Sequence, residues 1–258
     1  MAEPKIGHFR ILRHLGQGSV MNAFLVHNEQ ENRTSALKIL KPALAGDAAA
    51  EQFIKAAQAS AALAHPCISA ALSAGRTGPT VYAETAFLQG RPLREVLKEL
   101  GTLEPDYCVF LARQAAAMLN FAHNTMRGAA HGGINPGNIL LCSIGGRENV
   151  PTLTDYGLVN AVLLSESGFN LEAAGAAVAY LSPEQLAGQA PGPAADIYSL
   201  GAVLFELLAG KPPFPGNSAS EIARMHAGTE PPRLSDVNPA VPPGIDETVW
   251  RCLRKNPA

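Results

Sequence analysis

The residues with chemical capacity are few and scattered. A glycine-rich turn, Gly16-Gln17-Gly18, sits between two apolar runs, and Lys38 lies inside the apolar stretch ALKIL. His131 opens the string HGGINPGN, which ends at Asn138, and Asp155 stands in TDYGL. Glycines let a backbone come close to a ligand, but between two strands they also make an ordinary hairpin turn. A dinucleotide-binding turn is disfavoured, because a strand rather than a helix follows. Taken alone, Lys38 is a solvated strand lysine and His131 a packing residue. Cys67, Cys108, Cys142 and Cys252 are widely spaced with no C-x-x-C pair. That pattern fits neither a zinc site nor a disulfide framework, and it points to reduced, packed thiols in a cytosolic compartment.

Composition narrows the classes. The 258 residues carry 20 Lys plus Arg and 22 Asp plus Glu, for a net charge of −2. Hydrophobic residues make up 47% and charged residues 16%, so a disordered polyelectrolyte is excluded. Nucleic acid is an unsuitable main ligand, because phosphate-backbone binding needs a clustered excess of cations. The start, MAEPKIGHFR, has no apolar run and is no signal peptide. No stretch approaches the roughly 18 consecutive apolar residues of a membrane helix. The end at RKNPA, without a turn or tail, suggests a piece of something longer.

These residues must be positioned by elements of two kinds. HFRILRHLGQGSVMNAFLVHN alternates around its glycines and predicts an antiparallel hairpin, followed by strands at TSALKIL and TVYAETAF. Between them, Asp47 to Ala64 is alanine-rich, without Gly or Pro, and predicts a helix with Asp47 as N-cap. Past Gly90, PLREVLKEL and YCVFLARQAAAMLNFAHN repeat apolar residues every three or four positions, as helices with one buried face do. NILLC and PTLTD are short strand candidates. IYSLGAVLFELLAG is apolar nearly all round and predicts a buried helix; SEIARMHAG and ETVWRCLRK add two more helices.

The blocks LGQGSV, ALKIL, FLQGRPL, HGGINPGNILL, TDYGL, YLSPEQLAG and ADIYSLGAVLFELLAGKPPF occur in this order. The order resembles the eukaryotic-like (Hanks-type) protein kinases, bacterial Ser/Thr kinases in particular, over nearly the whole chain. The resemblance implies an α+β, bilobal fold in a single domain, 1–258. It has a small antiparallel sheet lobe with one helix at 8–84, a hinge at 85–90 and a mainly helical lobe at 91–258 that is truncated at its C-terminal end. ATP and Mg are the implied ligands. Gly16 and Gly18 would cover the phosphates, with Met21 and Ala23 where the family has glycine and valine. Lys38 would hold the α- and β-phosphates. Thr85 is the gatekeeper-like residue, the backbone from Ala86 to Leu88 faces adenine, and Glu84 points away from the cleft. Asn138 and Asp155 are the metal-binding types.

The same resemblance exposes departures. The family loop H-R-D-L-K-x-x-N places an Asp to receive the substrate's hydroxyl proton. That position is Gly133, the loop arginine is Gly132, and the phosphate-steadying lysine is Asn135. The helix glutamate that normally pairs with the strand lysine is Ala56. Glu51, about 140° round the helix from that position, points elsewhere. Ala177 replaces the substrate-loop threonine. Architectural positions persist: Pro183, Glu184, Asp196 and Gly201. Losing a general base costs about 10²–10⁴ in rate, and losing a positioned electrostatic donor about 10²–10³. The resulting reading has no catalytic base. It is a pseudokinase, a regulatory or scaffold domain that binds ATP and Mg with little or no phosphotransfer, found in the cytoplasm unless an anchor follows residue 258. Its partners are proteins in signalling or assembly, with no nucleic acid and no membrane contact within these residues. Two alternatives stand beside it: an active Ser/Thr kinase with a non-standard loop, and an interaction module with a nucleotide-free cleft.

Overall fold

The computed structural model describes residues 4–165 and 168–256. β1 (Lys5–Ile6), β2 (Phe9–Gln17), β3 (Met21–Asn28) and β4 (Arg33–Leu40) form a meander. Then come α1 (Asp47–Ser60), β5 (Ala71–Thr77) and β6 (Thr80–Ala86). All six strands pair antiparallel in the order β1-β2-β3-β4-β6-β5. Strand alternation divides the side chains between the two faces. Leu40, Val81 and Ala83 share a buried cluster with Ala50, Phe53 and Ala57 of α1. Phe9, Val26 and Leu37 cluster on the other face with Tyr82. Lys38, two residues from Leu40, therefore points to the α1 side.

The helix is shorter than its alanine content predicts. Gly46, not Asp47, is the N-cap, and α1 ends at Ser60. The Ser60 hydroxyl donates to the Ala57 carbonyl at 2.7 Å and accepts from the Ala71 amide at 3.1 Å. A serine that bonds backbone groups in this way competes with helix continuation. Here it also ties the helix end to β5, a strand that alternation did not reveal.

The second lobe opens with β7 (Gly90–Pro92), α2 (Leu93–Leu100) and α3 (Pro105–Thr125). β8 (Ile139–Ile144) and β9 (Arg147–Leu153) follow, and the sheet order is β7-β8-β9. A Cβ at Gly90 would lie 2.5 Å from Cys142 Sγ and 2.7 Å from the Leu141 carbonyl oxygen, so only glycine lets β7 lie this close to β8. Next come α4 (Leu158–Leu163), the antiparallel pair of β10 (Leu164–Ser165) and β11 (Gly168–Phe169), α5 (Leu171–Ala174) and α6 (Pro183–Leu186). α7 (Pro193–Ala209) is buried almost all round, as its composition predicts. Gly201 lets it meet α10, because a Cβ there would sit 2.6 Å from Cys252 Cβ. α8 (Ala219–Gly228), α9 (Leu234–Val237) and α10 (Pro243–Cys252) complete the lobe. Leu111, Ala115, Met118 and Leu119 of α3 join Val203, Phe205 and Leu207 of α7 in its core. All four cysteines are free thiols. Among the described residues no helix is long and apolar enough to cross a membrane.

Glu84 faces away from Lys38 and α1, as the kinase resemblance implies, and is fully buried. Arg33 grips both its oxygens, at 3.2 and 3.0 Å, while Asn28 and Ser73 donate at 3.1 and 2.8 Å. Burial pushes this carboxyl up, but the hydrogen bonds from Arg33, Asn28 and Ser73 win and hold it at about 2. Its folded value is below the ordinary 4.5, so its stabilisation is complete above that pH and fades as pH falls toward 2. Glu84→Gln is expected to cost about 3 kcal/mol at pH 7. The gap from wild type should narrow steadily in urea unfolding curves taken from pH 5 down to pH 3.

Candidate nucleotide-binding site

The loop from His131 to Asn138 is built on one buried carboxylate. Asp196, in the first turn of α7, accepts from the amides of His131 and Gly132 and from His123 Nε2, each at 2.8 Å. His131 is wholly buried. Its Nε2 donates to the Thr154 carbonyl at 2.8 Å, and burial depresses its pKa, so the ring is neutral. This is the packing role expected for it. Asn135 folds back on the loop: its amide nitrogen donates to Gly133 O at 2.9 Å, and its oxygen accepts from the Gly137 amide at 2.8 Å. Arg94 of α2 donates to the same oxygen at 3.0 Å, a contact that sequence reasoning missed. Asn135 is thus a loop staple, with its polar groups engaged by the protein itself.

Asn138 Nδ2 donates to Gly133 O at 2.8 Å, and the Asn138 carbonyl receives the Thr154 amide at 3.0 Å. That link brings Asp155 beside Asn138. Asp155 adopts φ 65°, a left-handed conformation that Asp tolerates better than most residues. Lys38 Nζ donates to Asp155 Oδ2 at 3.4 Å and lies 3.1 Å from Oδ1. Oδ1 is buried yet accepts no hydrogen bond. Asp155-Tyr156-Gly157 stands where the kinase pattern has Asp-Phe-Gly, and Tyr156 is buried, its hydroxyl donating to the Ala129 carbonyl at 2.7 Å. That carbonyl explains how the extra oxygen is tolerated.

No carboxylate on α1 reaches Lys38. Ala56 faces Gly157, lying 3.6 Å from where a Cβ there would be, while Glu51 pairs with Lys55 in solvent at 3.8 Å. At the other wall, Gly16 pairs with Ala23, and a side chain at Gly16 would meet nothing within 4 Å. Its glycine is not required by packing. Gly18 closes the loop tip through its amide to Met21 O at 2.8 Å. Val20 and Met21 are buried in the same cluster as Val159, Val162 and Leu163 of α4. Thr85 is buried between Ala36 and Ala71, Ala86 is exposed, and Leu88 is half-buried.

α4 itself was missed by the sequence reading. Its signal was present in LVNAVL directly after Gly157, with apolar residues at positions one, two, five and six. Val159 and Asn160 lie against the loop glycines. A Cβ at Gly133 would be 2.9 Å from Val159 Cβ, and one at Gly132 2.7 Å from Asn160 Cβ. Gln185 of α6 fastens this contact, its amide nitrogen donating to Gly132 O at 2.9 Å and to Asn160 Oδ1 at 3.5 Å.

Residues 9–258 match the protein kinase domain family, to which the chain therefore belongs. It is 32% identical over 248 residues to the serine/threonine-protein kinase PknB of Mycobacterium leprae, covering 94% of this chain and 39% of that protein. It is 32% identical over 252 residues to the serine/threonine-protein kinase PrkC of Bacillus subtilis, covering 97% of this chain and 38% of that protein. The chain thus spans well under half the length of these relatives. Among solved structures, the PknI kinase domain of Mycobacterium tuberculosis superposes with a TM-score of 0.76 at 23% identity, covering all of this chain and 92% of that one. Together with the strand order and helical lobe, this is the bilobal α+β protein kinase fold.

The loop's dependence on α7 can be measured. Asp196→Asn replaces one acceptor oxygen by a donor, set against either the Gly132 amide or the His131 amide and the His123 imidazole. It should lower stability by about 1–3 kcal/mol in chemical denaturation.

Proposed function

We propose that this chain is a pseudokinase domain, a regulatory or scaffold module that binds ATP with Mg and transfers little or no phosphate. The observation that carries the proposal is Gly133, where the family's proton acceptor belongs. Glycine has no side chain to take a proton, and Asn135 beside it is neutral and engaged with Gly133, Gly137 and Arg94. The proposed domain is single, with the sheet lobe at 8–84, the hinge at 85–90 and the helical lobe at 91–258.

The nucleotide reading rests on what remains. Lys38 would hold phosphates, Gly16 and Gly18 would cover them, and the backbone at Ala86 and Leu88 would meet the adenine with Thr85 behind it. Asp155 Oδ1, buried and facing only the Lys38 ammonium at 3.1 Å, and the amide oxygen of Asn138 fit a hard divalent cation. Among the described residues no three His, Cys, Asp or Glu side chains form a metal cluster, so phosphate oxygens would complete the shell. Bound ATP and Mg would supply the phosphoryl group and its neutralising cation. At residue 133, where the family places it, there is no group to receive the proton of an incoming alcohol.

The second reading is an active Ser/Thr kinase. The names of the relatives at 32% identity favour it, and Lys38, Asn138 and Asp155 would serve it equally well. Partners under either reading are proteins.

Phosphate incorporation from labelled ATP with Mg or Mn separates the two. The purified chain should show no incorporation above Lys38→Ala, and a robust rate abolished by Lys38→Ala would establish the active kinase. Thermal unfolding with ATP and Mg should shift upward, since a ligand at 100 times its Kd adds about 2.7 kcal/mol. The shift should vanish in Asp155→Ala. Absence of any shift at millimolar ATP in wild type would remove the nucleotide half of the proposal.

A further inference from the structure

We infer that Gly132 and Gly133 are a seat for α4, and that the seated helix and bound ATP with Mg exclude one another. The domain is then a latch opened by nucleotide. The nucleotide half of this inference rests on the binding proposed above; the seat itself does not.

The helix has six residues, far below the roughly 12–15 at which an isolated helix holds in water. It persists through what it touches. Leu158, Val159, Val162 and Leu163 are all buried, in one cluster with Ala50, Phe53 and Ala57 of α1. Small residues make the approach possible on both sides. Ala56 leaves room beside Gly157, and Gly157 itself holds φ 77° to turn the chain into α4. On the loop side the space for a Cβ at Gly133 is taken by Val159 Cβ and Cγ2, at 2.9 and 3.1 Å. Gly132 has φ 65°, and a Cβ there would strike Asn160 Cβ at 2.7 Å. Gln185 then ties Gly132 to Asn160. An aspartate at residue 133 and this helix cannot both occupy their places.

The ligand groups are committed to the same arrangement. Lys38 is paired with Asp155, three residues before α4. Val20 and Met21, at the tip of the glycine-rich turn, share the α4 cluster. Phosphates beneath that turn would draw Lys38 off Asp155, turn Asp155 toward the cation and lift Val20 and Met21. Each of these changes removes support from α4.

Hydrogen–deuterium exchange of amides 158–163 and ATP–Mg affinity, measured on the same full chain, test the latch. Saturating ATP with Mg should accelerate exchange at 158–163 while the rest of the chain is protected or unchanged. Gly133→Ala should raise exchange there by about tenfold or more without nucleotide, and tighten ATP–Mg binding by the same factor, because apparent affinity scales with the open fraction. Val159→Ala, which keeps the glycine and trims the helix, should move both readouts in the same direction by less. Unchanged exchange in both variants would overturn the seat. Faster exchange without tighter binding, nucleotide-induced protection of 158–163, or no ATP binding by any form would overturn the exclusion. Phosphotransfer by wild type would overturn the pseudokinase reading and leave the seat standing.

Discussion

Two stretches of backbone, at residues 132–133 and 158–160, lie closer together than side chains on both would permit. Much of the centre of the molecule depends on that approach. Asp196 holds the loop side of it by accepting two consecutive backbone amides. The alanine-rich face of α1 and the buried apolar residues of α4 hold the other side. Because the interior is close-packed, a single extra carbon at Gly133 has to be accommodated by a shift of the helix.

The substitutions that separate this chain from the pattern of its family therefore belong together physically. Ala56 removes a charge from the α1 face that α4 covers. Gly133 removes the carboxylate that would occupy the place of Val159. Asn135 turns a phosphate-binding position into an internal staple of the loop. With no helix glutamate available, Lys38 takes Asp155 as its partner. At residues 133 and 135 a group that the family directs at a substrate is gone, and Asn135 bonds the protein instead. Groups that suit a nucleotide and a cation are nevertheless retained beside them: Lys38, Asn138, Asp155 and a Gly16 that packing does not require.

Glu84 shows the same economy away from the cleft. A fully buried carboxylate is costly unless paired, and Arg33, Asn28 and Ser73 satisfy it across four strands of the sheet. The kinase resemblance points it away from the cleft. Its partners were not visible, because they lie 51, 56 and 11 residues away in sequence.

Local pattern alone determined the two-lobe order of strands and helices, the burial of α7 and the absence of a carboxylate at residue 133. Strand alternation, helical periodicity and residue identity are properties of neighbouring positions, so one chain suffices to read them. Only the tertiary structure decided the partner of Lys38, the early end of α1, the strand β5 and the existence of α4. Lys38 and Asp155 are 117 residues apart. The end of α1 is fixed by a serine bonded to a strand 11 residues on. A six-residue helix has too few internal hydrogen bonds to form alone, and α4 exists because distant alanines and glycines leave a space of its shape.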